Sequence, residues 1–371
     1  MIMKKTDLNM PETEYMRRAI KLAGRGEGYV NPNPMVGAVI VKDGRIIGEG
    51  YHERYGELHA ERNAIASLTE PAKGAAIYVT LEPCCHYGKT PPCTEAIIDN
   101  GISRVVVGSR DPNPLVAGKG VRMLREAGIE VIEDFLKDEC DELNPVFFHY
   151  ITTGMPYVVL KYAMTMDGKI ATVTGASKWI TGEESRNEVQ RLRHKYSAIM
   201  AGIGTVLADD PMLTVRTEGL KSPVRVICDT KLRIPADSNI VKTADRYRTI
   251  IAYGTADEAK ERALKDKGVC LEKLPLKDDH IDMAALMGRL GELKIDSVLV
   301  EGGGTLNDSL IRAGLVDRVE AFIAPKIFGG SEAATPVSGM GIPDVEKALK
   351  FVLKDVAYHG EDVQLTYIKK Q

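Results

Sequence analysis

His59-Ala60-Glu61 and, further on, Pro83-Cys84-Cys85-His86-Tyr87-Gly88-Lys89-Thr90-Pro91-Pro92-Cys93 decide how this chain is read. One His nitrogen and two Cys sulfurs form a borderline-soft donor set suited to zinc. Three protein ligands, His59, Cys84 and Cys93, leave a fourth tetrahedral position for water, as a catalytic site requires. Glu61 stands two residues past His59, in reach of that water's proton. A structural zinc would instead want a fourth protein ligand, for which Cys85 and His86 are the candidates. Adjacent Cys84 and Cys85 cannot both point at one metal without strain, which favours one as ligand and one as neighbour.

The surrounding pattern alternates helix and strand. Helical spacing of Met16, Ala19, Ile20 and Ala23 predicts a helix over Thr13 to Gly24. Val36 to Val41 and Arg45 to Tyr51 read as a hairpin around Asp43-Gly44. A helix over His59 to Leu68, a strand over Ala76 to Leu81 and a helix over Pro92 to Asn100 follow. Arg104 to Gly108 reads as strand, Gly120 to Ala127 as helix and Ile129 to Ile132 as strand. The sum is an α/β layered domain. His59 and Cys93 then both stand at helix starts, where the partial positive charge favours thiolates and anionic ligands.

A hinge near Thr152-Thr153-Gly154-Met155-Pro156 separates a second α/β domain, so the expected division is 1–153 and 154–371. There, Tyr157 to Ala163, Val224 to Asp229, Thr249 to Tyr253, Ser297 to Val300 and Val319 to Pro325 read as strands. Several are nearly continuous apolar runs, as in a sheet covered on both faces. Glu183 to Tyr196 reads as a charged amphipathic helix.

Bulk properties narrow the function classes. Two domains suit 371 residues, and 44% hydrophobic with 27% charged residues is ordinary for a soluble globular protein. A net charge of -3 argues against a nucleic-acid binder. Six Cys in a chain this long do not make a disulfide framework. No apolar run reaches about 18 residues, so no membrane span is expected. Met1 to Pro11 lacks an apolar signal core, and the cytoplasm is the default expectation.

Zinc deaminases carry His-x-Glu followed by Pro-Cys-x-x-Cys, with the Glu as acid/base. Here the first half is intact, and the second is stretched to eight residues between Cys84 and Cys93. That stretched block, Leu81-Glu82-Pro83-Cys84-x-His86-x-Gly88-x-Thr90-Pro91-Pro92-Cys93, resembles the deaminase half of the bifunctional riboflavin-biosynthesis deaminase/reductase family. Asn33-Pro34-Met35-Val36-Gly37 and Arg110-Asp111-Pro112-Asn113-Pro114 resemble two further segments of it. The resemblance implies a cytidine-deaminase-like three-layer domain acting on a diaminopyrimidinone with a phosphoribosylamino group. It implies that the ring 2-amino group is replaced by oxygen, with Glu61 moving the protons. It also implies that Asn33, His52, His86, Lys89, Asp111 and Asn113 line the substrate pocket.

The second half lacks Gly-x-Gly-x-x-Gly after a strand. It does hold Val300-Glu301-Gly302-Gly303-Gly304-Thr305 and Met200-Ala201-Gly202-Ile203-Gly204-Thr205-Val206. Such turns let backbone N–H groups approach a phosphate, and equally serve as plain tight turns. Together with Lys161-Tyr162-Ala163-Met164-Thr165-Met166-Asp167-Gly168-Lys169 and Ser177-Lys178-Trp179-Ile180-Thr181, they resemble the reductase half of the same family. The resemblance implies a dihydrofolate-reductase-like domain that reduces the ribosyl group to ribityl with NADPH. It places Lys161, Thr181, Asp209, Leu213, Arg216 and Glu301 near substrate, with Arg193 and Arg216 for its phosphate. Asp210, beside Asp209, leaves that register open by one residue. Ser177, Trp179, Gly202, Thr205, Gly303 and Gly304 would lie along NADPH. The family forms homo-oligomers through this half. Two other readings compete: a deaminase of another pyrimidine whose second domain only binds, and a zinc-stabilised binding protein.

Overall fold

Side chains of the three central strands before residue 153 alternate between two apolar cores. The computed structural model describes residues 10–87, 91–113 and 116–370, and the chain divides between Thr153 and Gly154 into two units. In the first unit, α1 (Met10–Ala23) precedes the hairpin β1 (Gly37–Lys42) and β2 (Arg45–Tyr51). Then come α2 (Ala60–Ala66), β3 (Ala76–Leu81), α3 (Cys93–Asp99), β4 (Arg104–Ser109), α4 (Lys119–Glu126), β5 (Glu130–Ile132), α5 (Lys137–Asp141) and α6 (Pro145–Thr153). The sheet order is β2-β1-β3-β4-β5, antiparallel at β2-β1-β3 and parallel beyond. Ala38, Ile40, Ile77, Val79, Val105 and Val107 share a core with Ala60 and Ala64 of α2, Ile97 of α3 and Leu124 of α4. The intervening Val39, Val41, Tyr78 and Val106 pack with Met16, Ala19 and Leu22 of α1 and Cys140 of α5. Period-two side chains covered on both faces make three layers.

One glycine positions α2. A Cβ on Gly50 would stand 2.3 Å from Ala64 N and 2.6 Å from Ala60 O. Only glycine lets the helix that begins beside His59 settle this close on β2.

The second unit contains β6 (Tyr157–Thr165), α7 (Glu183–Lys195), β7 (Ala198–Gly202), α8 (Ile203–Asp209), β8 (Val224–Cys228), α9 (Asn239–Lys242) and β9 (Thr249–Tyr253). These are followed by α10 (Glu258–Lys265), β10 (Cys270–Lys273), the short hairpin β11 (Leu276–Lys277) and β12 (His280–Ile281), and α11 (Met283–Glu292). The chain ends with β13 (Ser297–Val300), α12 (Gly304–Arg312), β14 (Arg318–Ala324), β15 (Phe351–His359) and β16 (Asp362–Lys369). The main sheet runs β10-β9-β8-β7-β13-β6-β14-β16-β15. It is parallel from β10 to β14 and antiparallel through the terminal hairpin. One face is covered by Leu286, Met287 and Leu290 of α11 and Leu306 and Leu310 of α12. The other is covered by Ile203 and Val206 of α8, Ile240 of α9 and Leu264 of α10.

Several elements depart from the sequence expectations. Thr152 and Thr153, expected in a hinge, end the helix α6, and Gly154 follows with φ +71°. That is the left-handed residue that commonly terminates a helix. Val146, Phe147, Phe148 and Ile151 favour strand and mask α6, whose start is marked by Asn144 and by Pro145 at the first helical position. The segment Met200 to Val206 does form a strand-to-helix turn as expected: β7 ends at Gly202 and α8 begins at Ile203.

Candidate active sites

Three chain segments converge on the metal-ligand set. His59 is the N-cap residue of α2, Cys84 lies in the loop leaving β3, and Cys93 opens α3. His59 Nδ1 stands 3.4 Å from Cys84 Sγ and 3.4 Å from Cys93 Sγ. All three ligand atoms lie within 4.8 Å of one another. Nitrogen and sulfur ligands on one tetrahedral zinc would be about 3.6 Å apart for the usual bond lengths. The donor chemistry and spacing therefore fit zinc. Among the described residues, neither Cys85 nor His86 joins the group. The set is thus the open three-ligand kind.

The electrostatics agree with that role. Cys84 is pulled down to about 4, first by the hydrogen bond with Cys93 and then, against its burial, by His59. Cys93 is pushed up by Cys84 and by burial. Glu61 lies in the first turn of α2 and is 3% exposed. Burial raises its carboxyl above the usual range, and Cys84 adds to this. A carboxyl so placed can carry a proton where an exposed one would not.

Beside the metal-ligand group, the Asn33 amide donates to His52 Nε2 at 3.1 Å, while His52 Nδ1 donates to Leu58 O at 2.9 Å. These partners set the neutral tautomer, and burial lowers the His52 pKa. Asp111 is buried and accepts from Asn113 N at 2.8 Å. Burial raises its carboxyl to about 6. His86 Nδ1 is buried and has no hydrogen-bond partner among the described residues. Lys89 lies outside the described residues.

Two side chains that sequence reasoning passed over support this site. Arg62, next to Glu61, donates to Pro91 O at 3.0 Å and Pro92 O at 2.8 Å, gripping the chain immediately before Cys93. Glu82, 4% exposed, accepts from Gly118 N at 3.0 Å and Val121 N at 3.3 Å, which caps α4 beside Pro83-Cys84. A Cβ on Gly120 would stand 2.2 Å from Pro83 O, so the two glycines flanking Lys119 were the available signal.

In the second unit, Lys161 of β6, Arg193 of α7 and Glu301 after β13 meet. Arg193 Nε and Nη2 donate to the two Glu301 oxygens at 2.6 and 3.0 Å. Its Nη1 donates to Thr214 O at 2.9 Å, and Lys161 Nζ approaches Glu301 at 3.4 Å. Burial alone would raise the Glu301 carboxyl, but Arg193 and Lys161 outweigh it and hold it at about 2. The Arg193 side chain is 15% exposed, so it is not on a solvated helix face. Leu213, beside Thr214, is buried with φ +51°. Arg216 is exposed, and its backbone N donates to Gln190 Oε1 of α7 at 2.9 Å.

Asp209 and Asp210 separate cleanly. Asp210 Oδ1 accepts from Asn239 N at 2.8 Å, which commits it to the start of α9. Asp209 is the exposed last residue of α8 and pairs with Lys178 Nζ at 3.3 Å. That contact links α8 to the segment holding Ser177, Trp179 and Thr181. Gly202 and Thr205 lie at the β7–α8 junction, and Gly303 and Gly304 at the β13–α12 junction. β7 and β13 are parallel neighbours, so both junctions share the carboxyl edge of the sheet. A Cβ on Gly204 or Gly303 would meet nothing within 4 Å, whereas one on Gly304 would strike Ser338 Oγ at 2.8 Å. Paired, open strand-to-helix turns fit a phosphate-bearing cofactor such as NADPH.

A zinc-type deaminase unit joined to a reductase unit is the class of protein that this fold and these sites define. Residues 10–109 match the cytidine and deoxycytidylate deaminase zinc-binding region, and residues 156–365 match the RibD C-terminal domain. The riboflavin biosynthesis protein RibD of Actinobacillus pleuropneumoniae is 54% identical over 97% of this chain and 96% of its own length. That of Escherichia coli (strain K12) is 42% identical over 96% of this chain and 99% of its own. The solved structure of Acinetobacter baumannii RibD superposes with a TM-score of 0.88 at 38% identity, covering 97% of this chain and 99% of that one. A Thermotoga maritima diaminohydroxyphosphoribosylaminopyrimidine deaminase/5-amino-6-(5-phosphoribosylamino)uracil reductase gives 0.86 at 42% identity, covering 97% and 99%. The chain belongs to the RibD family, the bifunctional deaminase/reductases of riboflavin biosynthesis, whose cofactors are zinc and NADPH. No helix among the described residues is long and apolar enough to cross a membrane.

Proposed function

We propose that the two reactions run at two separate sites, and that the residues assembled above carry them. The observation that carries the deaminase assignment is the meeting of His59, Cys84 and Cys93 beside the buried carboxyl of Glu61. The substrate is a diaminopyrimidinone bearing a phosphoribosylamino group. His59, Cys84 and Cys93 would hold zinc, which would supply the Lewis acidity that lowers the pKa of a bound water. Glu61 takes one proton from the attacking water and gives it to the ring nitrogen, then takes the second from the new hydroxyl group and gives it to the amino group that leaves as ammonia. Neutral His52, Asn33, Asp111, Asn113, His86 and Lys89 bind and orient the pyrimidine.

In the second unit NADPH supplies the hydride that converts the opened ribosyl group to ribityl. Gly202, Thr205, Gly303, Gly304, Ser177 and Trp179 would hold NADPH. Lys161, Thr181, Leu213 and Glu301 orient the sugar, and Asp209 holds its hydroxyl groups at the accepting carbon. Arg216 binds the substrate phosphate, being exposed and free of a carboxylate partner among the described residues. Arg193 has three donors committed to Glu301 and Thr214, and it contributes by holding Glu301.

Ammonia release and NADPH oxidation, followed separately with and without a zinc chelator, test this reading. Chelation should stop ammonia release and spare reduction of pre-deaminated substrate. Equal loss of both reactions would mean one shared site.

Two further features belong to the proposal. β15 is an edge strand with Val352, Leu353, Val356 and Tyr358 exposed at 47%, 50%, 43% and 75%. Such an edge supports pairing with a second copy of the chain. Light scattering of the purified protein checks it, and a monomer at micromolar concentration excludes it. A site that needs Cys84 and Cys93 as thiolates supports a reducing, cytoplasmic setting.

A further inference from the structure

Trp179 is the chain's single tryptophan, and it is 58% exposed. An indole left in water needs a reason, because it exposes a large apolar face. Its surroundings are built to keep it in place. The Arg186 guanidinium lies over the ring, 4.8 Å from its centroid. The same guanidinium donates from Nη1 to Thr181 O at 2.8 Å. Lys326 Nζ donates to the two preceding carbonyls, Trp179 O at 3.0 Å and Ile180 O at 2.6 Å. Three consecutive carbonyls are thus taken by two cations from separate elements.

Both cations are themselves anchored. Arg186 sits in the first turn of α7, whose start is tied to β16: Asp362 accepts from Gly182 N at 2.7 Å and from Ser185 Oγ at 2.6 Å. Lys326 follows β14, and its carbonyl accepts from Met166 N at 3.0 Å at the end of β6. Neither cation is paired with a carboxylate among the described residues, so their charge is directed at carbonyl oxygens and at the indole face.

We propose that Arg186 and Lys326 are positioning residues that hold Trp179 as a rigid stacking platform for a flat ring of the reductase cofactor. This rests on the reading that NADPH passes Trp179. A guanidinium stacked on one face of an aromatic ring is attracted by its quadrupole and restrains ring rotation. Ordering the segment before the cofactor arrives removes an entropic cost from binding. Neither residue touches the reacting atoms; both act through Trp179.

The lone tryptophan supplies a direct readout in the full-length protein. NADPH is titrated by calorimetry and by quenching of tryptophan emission, and tryptophan anisotropy is recorded without cofactor. The variants are Arg186→Ala, Arg186→Lys and Lys326→Met, with circular dichroism melts as the fold control. We expect saturable quenching in the parent protein, lower anisotropy in each variant, and a Kd for NADPH raised about tenfold by Arg186→Ala. Arg186→Lys should not restore it, since an ammonium lacks the planar stack. If calorimetry shows binding but emission does not change, the cofactor does not pass Trp179, and the reading underneath fails. If emission is quenched while Arg186→Ala and Lys326→Met keep parental anisotropy and Kd, the reading stands and the positioning role is overturned. Should Arg186→Ala melt early, Lys326→Met, at an exposed side chain, decides the question by the same two outcomes.

Discussion

Arg193 and Glu301, 108 residues apart in the chain, share a bidentate ion pair of 2.6 and 3.0 Å with both side chains largely out of water. The pair joins α7 to the loop after β13, and its carboxylate is held at about 2. The folded-state pKa lies below the unfolded value. Its stabilisation is therefore present above about 4.5 and lost as pH falls through about 2. The shift corresponds to roughly 3 kcal/mol. Glu301→Gln removes it and leaves Arg193 buried without a counter-charge. The melting transition of the second unit should drop by roughly 5–10 °C at neutral pH. The gap to the parent protein should close as pH falls from about 4.5. A gap that stays constant down to acid pH would show that the ionised pair contributes nothing.

Glu61→Gln retains the shape of the side chain and removes the proton acceptor. Zinc content, read by atomic absorption, should be unchanged, because Glu61 is outside the ligand group. Ammonia release should fall by roughly 10²–10⁴-fold. Deamination at the parental rate would remove Glu61 from the mechanism.

Arg62 grips Pro91 O and Pro92 O just ahead of Cys93, the proposed metal ligand. Outer residues that orient ligands typically change metal affinity by about 10–100-fold. Arg62→Ala should therefore lose zinc to a competing chelator at least about tenfold more readily. Competition dialysis measures this, and an unchanged zinc Kd would reduce Arg62 to a surface contact.

Asp209 and Asp210 should give opposite phenotypes. Asp209→Ala should lower reductase kcat/KM without changing the melt, since its partner Lys178 is exposed and the pair is worth little. Asp210→Ala should cost about 1 kcal/mol of stability through the lost bond from Asn239 N, with a smaller effect on reduction. Steady-state kinetics beside thermal melts separate them; the reverse pattern would assign the sugar contact to Asp210.

Much of the first unit was legible because its information is local. Val39 and Val41 against Ala38 and Ile40 reveal a strand covered on both faces within a few residues. β16 resisted the same reading. Its buried residues are Asp362, Gln364 and Thr366, each bonded to a distant partner: Ser185 and Gly182 for Asp362, Glu320 for the other two. Hydropathy cannot report a buried row that is polar, because burial there is permitted by hydrogen bonds formed across elements.

The sequence by itself determined the chemistry of the metal-ligand set. Nitrogen and sulfur donors, a carboxyl two residues from His59 and proline before each ligating cysteine are properties of residue type and short spacing. Only the tertiary structure decided which charges meet, such as Lys161, Arg193 and Glu301, and that Asp210 rather than Asp209 is committed to the start of α9. It also decided that Arg62 and Glu82 serve the site rather than the surface. The physical reason is range. Periodicity and ligand chemistry act over a few residues, whereas desolvation and ion pairing depend on neighbours that packing brings in from far along the chain.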